Sequence, residues 1–350
     1  MSDRSIVSAA VTEDITQGLS ARQREAATRP MVGIIVLNWK GLEDTTECCR
    51  SLEKVTYRPT KVYVADNASA DGSAEALRQR FPGFTCVANE TNLGYARGNN
   101  RMIQEAIADG CEYVLLLNND TLVDAAFVEP LVEAMQANGR VGIAGSKIYY
   151  VDRPQVIWFA GGKVEMSRRF PFRHIGEDET DAGQFDKASE TEWVSGCALL
   201  ARADMIRAIG SLDERFGYYC EDVDWCFRAR RSGWEVWYVP GSKVWHKIGA
   251  STRRGSLPVH YYSCRNALLV TRSMFTGVAR LRFIARALKQ ALAYSCYFGD
   301  KAAVLEATLQ GLAGRSGTAP TMGKSWWSKG VVTIERAVRK FSRLFERRCS

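Results

Sequence analysis

The sequence lacks the features that mark a zinc-binding, secreted or membrane-spanning protein. Its ten cysteines include no C-x-x-C pair, which argues against a zinc or redox centre and favours buried, reduced thiols. No stretch approaches the roughly eighteen uncharged apolar residues that a membrane span requires. Residues 1–29 carry scattered charges and have no apolar centre typical of a secretion signal. These absences predict a cytoplasmic protein.

The composition itself is typical of a globular protein. Hydrophobic residues make up 46% of the chain and charged residues 25%. A chain of 350 residues is long enough for one large α/β domain with an appendage. We expect a flexible leader at 1–29, a main domain at 30–275, a helical extension at 276–313, and a linker with a tail helix at 314–350.

Three short apolar runs predict the strands of a sheet. Each is continuous and rich in β-branched residues, the pattern of a strand buried on both faces. The runs are Met31–Leu37, Lys61–Ala65 and Tyr113–Leu117. Helices are predicted at Asp44–Leu52, Ser73–Arg80, Gly98–Ala108 and Tyr261–Phe275. The alternation of strands and helices favours a parallel sheet with right-handed crossovers.

Polar loops follow all three predicted strands. They are Asn38 to Gly41, Asp66 to Ser69 and Asn118 to Thr121. Ligands of parallel α/β sheets bind beyond the carboxyl ends of the strands. The three loops are therefore the first place to look for a binding site.

Asp120 is the first candidate for chemistry. It follows an apolar strand closely, where its carboxylate is placed to hold a hard divalent cation that neutralises phosphate charge. Taken alone, an Asn-Asn-Asp-Thr run after a strand is more often a helix N-cap or an Asx turn. Both interpretations stay open on this motif by itself.

A second acidic group lies at Glu221, Asp222 and Asp224, before a predicted helix. Negative side chains stabilise a helix N-terminus, so capping explains part of this pattern. Three acids exceed what capping needs. A carboxylate here is a candidate general base, because a hydroxyl that attacks another group must lose its proton.

His246 is the third candidate and one of only three histidines in the chain. It follows an aromatic and apolar run and is flanked by Trp245 and Lys247. Neutral imidazole is a common metal ligand. A lone histidine is nevertheless more often a hydrogen-bonded structural residue, so both roles stay open.

Five segments together resemble a known family. They are Val36 to Gly41, Asp66 to Ser73, Asn92 to Asn99, Leu117 to Thr121 and Gly210 to Gly233. In this order they resemble the inverting GT-A glycosyltransferases of family 2, and most of all the rhamnosyltransferase-like branch. The resemblance covers about residues 31–275. It implies a GT-A, Rossmann-like, mostly parallel sheet flanked by helices, here with a helical C-terminal extension.

The resemblance also implies roles for particular residues. Asp222 would be the general base, paired with Glu221, while Asp120 and His246 would hold Mg²⁺ or Mn²⁺. The implied nucleotide-binding residues are Asn38, Asp66, Asn67, Gly94, Arg97, Asn119 and Asp120. One position departs from the family pattern, because Asn118 stands where the metal motif usually has a carboxylate.

The acceptor side is less well defined by the resemblance. Trp193, Ser195 and Gly196 are candidates for the acceptor and sugar pocket, and residues 152–190 are interpreted as an insertion that faces the acceptor. Arg254 and Arg265 are candidates for diphosphate contacts. Core and surface roles remain open for these residues.

The implied function is metal-dependent sugar transfer with inversion. The donor that the branch suggests is dTDP-rhamnose, ahead of UDP-linked hexoses, and the expected acceptor is a lipid-linked glycan of cell-surface polysaccharide. Two alternatives remain: a non-catalytic nucleotide-sugar binding or scaffold protein, and a nucleotidyltransferase. A nucleotidyltransferase would be expected to carry a Gly-rich phosphate loop near the first strand, which is absent here.

The C-terminal tail predicts contact with an anionic membrane surface. Residues 275–350 hold fourteen Lys or Arg and four Asp or Glu, so the net charge of +8 comes from this end. In residues 331–348 apolar side chains recur at helical spacing opposite basic ones, and Trp326 and Trp327 precede them. Packing on the domain or on a partner subunit is the alternative. Nucleic acid is not expected as a partner, because no recognised nucleic-acid module accompanies the basic tail. We therefore expect a peripheral protein on the inner face of the cell membrane.

Deletion of residues 324–350 tests the predicted membrane contact. We expect the shortened protein to bind vesicles of anionic lipid less tightly, since each basic residue near such a surface adds about 1 kcal/mol, and to turn over a lipid-linked acceptor more slowly. Co-sedimentation and turnover assays measure the two effects, with neutral vesicles as the control. Unchanged binding together with unchanged turnover would rule out this role of the tail.

Overall fold

The structure is a computed structural model that describes residues 29–165, 171–248, 257–298 and 301–315. Its strands are β1 Val32–Asn38, β2 Thr60–Asp66, β3 Thr85–Ala88, β4 Tyr113–Asn118, β5 Thr121–Val123, β6 Val141–Tyr150, β7 Ile157–Phe159, β8 Gly162–Val164, β9 Phe172–His174, β10 Ser189–Glu190, β11 Ala198–Arg202 and β12 Glu235–His246. Its helices are α1 Leu42–Leu52, α2 Ser73–Arg80, α3 Gly94–Ala108, α4 Val128–Ala137, α5 Ala203–Ile209, α6 Glu221–Arg231, α7 Leu257–Met274, α8 Gly277–Phe298 and α9 Lys301–Ala313.

One mixed sheet organises the fold. Its main path runs β10-β12-β6-β11-β4-β1-β2-β3, with β5 added on β12 and β7 added on β6. Strands β3, β2, β1 and β4 are parallel, whereas β11 is antiparallel to both β4 and β6. The mostly parallel GT-A architecture expected from the resemblance is confirmed.

The register of the parallel strands brings the polar loops together. Asn38 lies opposite Asp66, and Leu37 lies opposite Asn118. The apolar residues before them are buried on both faces, which is why the strands end where the sequence becomes polar. The loops after β1, β2 and β4 therefore lie next to one another at the carboxyl ends of the strands.

The predicted third helix starts too late. Gly98 was expected to begin it, but α3 begins at Gly94 and passes through Gly98 without a break. Position 98 requires glycine because the Cβ of any other residue would come within 2.9 Å of the Leu37 side chain. Close packing of α3 on β1 therefore outweighs the low helix propensity of glycine.

The segment 152–190 has more regular structure than its sequence suggests. It forms β7 on the edge of β6, the β8–β9 hairpin, and β10, which pairs with β12. These strands are short, two or three residues each. Short strands rich in Gly and charge lack the apolar runs that reveal a buried strand in a sequence.

A buried lysine anchors this segment to the sheet. Lys147, on β6, is fully buried, and its Nζ donates to Asp181 Oδ2 at 2.9 Å and to Asp186 Oδ1 at 2.5 Å. Tyr149 also donates to Asp181 Oδ2, at 2.6 Å. Burial alone would raise the pKa of Asp181, but the hydrogen bonds from Tyr149 and Lys147 outweigh it and lower the pKa to about 2.

At the C-terminal end, α7 packs against α6 and α9, and α8 packs against both α7 and α9. None of the described helices is long and apolar enough to cross a membrane. The predicted leader up to residue 28 and the linker and tail from residue 316 onwards lie outside the described residues.

Lys147→Met is expected to destabilise the fold strongly. Removing one partner of a buried ion pair costs about 3–5 kcal/mol, whereas Lys163→Met, which removes an exposed pair with Glu165, should cost about 0–1 kcal/mol. Urea unfolding at pH 7 measures both.

Because the folded pKa of Asp181 is depressed, the stabilisation by the pair is present above about pH 4 and is lost as the pH falls towards 2. Equal losses in the free energy of unfolding for Lys147→Met and Lys163→Met would disprove the role of Lys147 as an anchor.

Candidate active site

Asn38 and Asp66 form the first part of the site, at the ends of β1 and β2. Asn38 Nδ2 donates to Asp66 Oδ1 at 2.6 Å, and Ser69 donates to the same carboxylate from its Oγ at 2.5 Å and its N–H at 3.0 Å. Asn38 and Asp66 are both buried. A carboxylate accepts about four hydrogen bonds, so one position on Asp66 Oδ2 is left for a ligand. The predicted contact of Asp66 with a nucleobase stays a prediction.

A hydrogen-bond chain continues from this pair to the loop after β4. Thr45, on α1, donates from Oγ1 to Asn38 Oδ1 at 2.8 Å, and Asn119 Nδ2 donates to Thr45 Oγ1 at 2.9 Å. Gly41 is needed here, because a Cβ at this position would come within 2.8 Å of Asn119 Nδ2. The sequence gives no signal for Thr45, which looks like an ordinary helix residue.

The side-chain donors and acceptors of Asn67 are all engaged in hydrogen bonds with other groups of the protein. Its Nδ2 donates to Asn92 Oδ1 at 2.9 Å and Gly94 O at 3.2 Å, and its Oδ1 accepts from Asn89 Nδ2 at 3.1 Å and Leu93 N–H at 2.9 Å. With two donors and two acceptors engaged, the side chain holds the loop that leads into α3. Its predicted contact with the nucleotide stays a prediction, and the structure adds a structural role for this residue.

Gly94 and Arg97 lie at the start of α3. Gly94 has φ +74°, a conformation that favours glycine, and it lets the chain turn into the helix. Arg97 is more than half exposed, and its Nε donates to Glu214 at 2.9 Å. Arg97 therefore faces the connection between α5 and α6, and its predicted role beside the nucleotide stays a prediction.

Asp120 and His246 are neighbours in space although 126 positions separate them in the chain. Antiparallel pairing of β5 with β12 sets Thr121 opposite His246, and the Lys247 N–H donates to the Asp120 carbonyl at 2.9 Å. The side chains meet at 3.0 Å between His246 Nε2 and Asp120 Oδ1. Both are buried.

This pair fits a divalent cation. A carboxylate oxygen is a ligand of hard divalent cations, and neutral imidazole is a common metal ligand. At 3.0 Å the two side chains are hydrogen-bonded to each other. His246 Nδ1 is buried with no hydrogen-bond partner among the described residues, and the Trp158 ring packs edge-on to the imidazole at 5.0 Å. Among the described residues no cluster of three or more His, Cys, Asp or Glu is suited to hold a metal, so protein groups alone would fill only part of the coordination shell.

Asp222 lies at the start of α6, where two backbone groups stabilise its negative charge. The Gly196 N–H donates to Asp222 Oδ2 and the Val223 N–H to Asp222 Oδ1, each at 2.8 Å. Burial raises the pKa of Asp222, and these two hydrogen bonds oppose the rise. Gly196 permits this approach, because a Cβ there would lie 3.3 Å from the Asp222 Cβ.

Glu221, the neighbouring acid, has the opposite environment. It is buried, and its Oε2 has no hydrogen-bond partner among the described residues. Burial, reinforced by the negative charge of Asp222, raises the pKa of Glu221 well above its usual value. Burial therefore raises the pKa of both acids, but only Asp222 has backbone N–H donors that stabilise its anionic form.

Tyr95 links this acidic pair to the strand ends. Its hydroxyl lies 3.1 Å from the Gly196 carbonyl and 3.3 Å from Asn118 Oδ1. The single O–H of Tyr95 donates to only one of these two oxygens at a time, and Asn118, which stands where the family's metal motif usually has a carboxylate, supplies one of them. Tyr95 was visible in the sequence only as part of the motif Asn92 to Asn99.

The other candidates for the acceptor side are largely buried. Trp193 packs on Phe159 and His174, with ring centroids 5.3 and 5.4 Å away, and Ser195 Oγ accepts from the Cys197 N–H at 3.3 Å. Their pocket role stays a prediction. Arg265 is fully buried against backbone carbonyls, which favours the core role over a diphosphate contact. Arg254 lies outside the described residues.

Solved structures with a similar fold are glycosyltransferases. GalNAc-T7 with UDP, GalNAc and Mn²⁺ aligns with a TM-score of 0.60 at 14% identity, over 84% of this chain and 59% of that one. S. aureus TarS 1-349 in complex with UDP-GlcNAc aligns with a TM-score of 0.52 at 15% identity, over 80% of this chain and 81% of that one. At these identities the likeness establishes the fold, which is that of the GT-A class.

Sequence comparison defines the family. The family described as Glycosyl transferase family 2 matches residues 32–205. The N-acetylglucosaminyl-diphospho-decaprenol L-rhamnosyltransferase of Mycobacterium tuberculosis is 31% identical over 223 residues, covering 58% of this chain and 72% of the relative. The dTDP-rhamnosyl transferase RfbF of Shigella flexneri is 25% identical over 189 residues, covering 52% of this chain and 60% of the relative. The chain belongs to glycosyl transferase family 2 and is a glycosyltransferase, which confirms the prediction from its motifs.

Glu221→Gln is expected to stabilise the protein at high pH. Because the folded pKa of Glu221 is raised above 4.5, the folded state keeps a proton that the unfolded chain releases, so stability falls as the pH rises from about 4.5 to the folded pKa. A neutral amide removes this penalty. We expect the free energy of unfolding to rise by on the order of 1 kcal/mol at pH 8 and to change little at pH 4.

Urea unfolding at the two pH values measures the effect, with the exposed Glu90→Gln as the control. The control should show no such dependence on pH. A change in stability at Glu221 that is the same at pH 4 and pH 8 would contradict the protonated state assigned to this residue.

Proposed function

We propose that this glycosyltransferase moves a sugar, with inversion, from a nucleoside diphosphate donor to a hydroxyl of an acceptor glycan, with Asp222 as the general base. The observation that carries the proposal is the difference between the two neighbouring acids. Two backbone N–H groups stabilise the anionic form of Asp222, while Glu221 is buried and its Oε2 has no hydrogen-bond partner among the described residues. An oriented carboxylate with a stabilised anion suits proton abstraction from a hydroxyl.

The reaction is a single in-line displacement. The acceptor oxygen attacks the anomeric carbon as the bond from that carbon to the diphosphate oxygen breaks, so the configuration inverts. Asp222 takes the hydroxyl proton, and the nucleoside diphosphate leaves with the bonding electron pair. A raised pKa makes Asp222 a better base than a fully solvated aspartate would be.

Residues of the sheet edge support donor binding in this proposal. Asp66, oriented by Asn38 and Ser69, has one oxygen position left to accept a hydrogen bond from the nucleobase. Asp120 and His246 would hold Mg²⁺ or Mn²⁺, which would neutralise negative charge on the departing diphosphate.

The donor and acceptor are inferred from the relatives. The Mycobacterium tuberculosis and Shigella flexneri proteins are both named for rhamnose transfer, and the name of the former includes N-acetylglucosaminyl-diphospho-decaprenol. We infer that this chain uses dTDP-rhamnose and a polyprenyl-linked glycan, in the synthesis of cell-surface polysaccharide. Such an acceptor lies in a membrane, which agrees with a peripheral location and with the basic tail predicted from the sequence.

Asp222→Asn should abolish sugar transfer. Loss of a general base typically lowers the rate by about 10²–10⁴-fold, and the amide cannot take the proton. The assay is release of nucleoside diphosphate from dTDP- and UDP-sugars with a polyprenyl-diphosphate-sugar acceptor, with and without EDTA. Asp224→Asn is the matched control, because Asp224 lies in the same turn of helix but bonds Arg228.

The expected pattern is release that needs both acceptor and metal in the wild type and in Asp224→Asn, and none in Asp222→Asn. Unchanged release of nucleoside diphosphate by Asp222→Asn would show that Asp222 is not the base. Unchanged release in the presence of EDTA would show that the reaction needs no metal. If the wild type released no nucleoside diphosphate from any donor, the alternative of a nucleotide-sugar binding protein would be favoured.

A further inference from the structure

The turn that precedes the acidic pair has an uncommon backbone conformation. Gly217, Tyr219 and Cys220 have φ of +70°, +69° and +67°, in the left-handed region. For the two residues with side chains this conformation costs roughly 1–2 kcal/mol each. It persists only where the surroundings hold it in place. Because Glu221 and Asp222 follow at once, whatever restrains this turn also determines where the two carboxyl groups lie.

Asn266, on α7, supplies much of that restraint. Its Nδ2, which has two N–H donors, lies 2.5 Å from the Tyr218 carbonyl oxygen, 2.7 Å from that of Tyr219 and 3.1 Å from that of Phe216. Asn266 is fully buried. A buried carbonyl without a donor costs about 1–3 kcal/mol, so replacing this amide would remove the donor of the Tyr218 and Tyr219 carbonyls, whereas the Phe216 carbonyl would keep other donors.

Arg265 orients this amide and holds the same turn. Its Nε donates to Asn266 Oδ1 at 2.8 Å, which decides that the Nδ2 end faces the turn. Its Nη2 donates to the carbonyl oxygens of Arg215, at 2.9 Å, and Phe216. The guanidinium is fully buried and lies 4.9 Å from the centre of the Tyr262 ring. The two adjacent residues therefore act as one unit.

We propose that Asn266, oriented by Arg265, is a positioning residue that sets the location of the Asp222 carboxylate. The inference rests on the proposed function, in which Asp222 is the base. The restrained turn leads directly into α6, where Asp222 Oδ2 accepts from the Gly196 N–H at 2.8 Å. Release of the turn lets α6 begin elsewhere and weakens this contact. Proton transfer then slows, while nucleotide binding at the ends of β1 and β2 is unaffected.

Asn100 offers a matched control. Its Nδ2 donates to the Leu212 carbonyl at 2.8 Å, and its Oδ1 accepts from the Leu212 N–H at 3.0 Å. It therefore holds backbone of the same connection between α5 and α6, but before the left-handed turn. Loss of either asparagine removes side chain to backbone hydrogen bonds, and only Asn266 restrains the residues next to Asp222.

Steady-state kinetics and nucleotide binding test the proposal. Asn266→Ala is expected to lower kcat by about 100-fold, as for a displaced catalytic group, with Kd for dTDP or UDP within about threefold of wild type. Asn100→Ala should keep a kcat close to wild type. Equal losses of kcat in the two variants, or a parallel loss of nucleotide binding in Asn266→Ala, would overturn the proposal. If Asn266→Ala does not fold, Arg265→Lys is tested in its place. The same result is expected, a lower kcat with little change in the Kd for nucleotide.

Hydrogen exchange at Gly196 distinguishes failure of this inference from failure of the proposed function, because it needs no substrate. The Gly196 N–H is bonded to the Asp222 carboxylate and belongs to a different segment from the turn. In Asn266→Ala we expect the peptide containing Gly196 to exchange about tenfold faster than in wild type, and in Asn100→Ala at the wild-type rate. Unchanged exchange in Asn266→Ala would disprove the positioning role even in an active transferase. Faster exchange would support it even if the wild type transferred no sugar.

Discussion

Negative charge gathered at one edge of the sheet is the constraint on which the site depends. Asp66 and Asp120 are buried and Asp222 is partly buried, and a nucleoside diphosphate would bring further negative charge. An unpaired buried carboxylate is costly. Each aspartate accordingly has its own compensation: an amide and a hydroxyl for Asp66, an imidazole for Asp120, and two backbone N–H groups for Asp222.

These local compensations are joined to one another. One hydrogen-bond chain runs from Asp66 through Asn38 and Thr45 to Asn119, beside the proposed metal ligand. On the other side, Tyr95 connects the end of β4 with Gly196, whose N–H holds Asp222. The donor side and the base are thus fixed relative to each other through side chains on separate strands and helices. Such fixed geometry is what an in-line displacement needs.

The site includes backbone conformations and a buried polar group that are locally unfavourable. Tyr219 and Cys220 hold left-handed conformations, and Glu221 is buried with one carboxylate oxygen that has no partner in the part of the chain that the structure describes. More distant contacts offset these costs: Lys147 ties the segment after β6 to the sheet, and Arg265 with Asn266 ties the turn before α6 to α7. Strain at the site supported by buried polar contacts elsewhere is a common arrangement in enzymes.

The sequence alone determined the parallel core and the main acidic residues. Continuous apolar runs define β1, β2 and β4, and residues such as Asp66 and Asp120 follow them because strands end where burial ends. The family resemblance then led to Asp222 and His246. Both kinds of signal are local in sequence or belong to a motif.

Only the tertiary structure decided how these residues work together. That Asp120 meets His246 depends on the pairing of β5 with β12, and the orientation of the Asp222 carboxylate depends on an N–H from Gly196. The roles of Thr45 and Asn266 have no sequence signal of their own. The physical reason is that burial, charge compensation and backbone restraint are properties of contacts between distant segments, and a linear pattern does not record which segments meet.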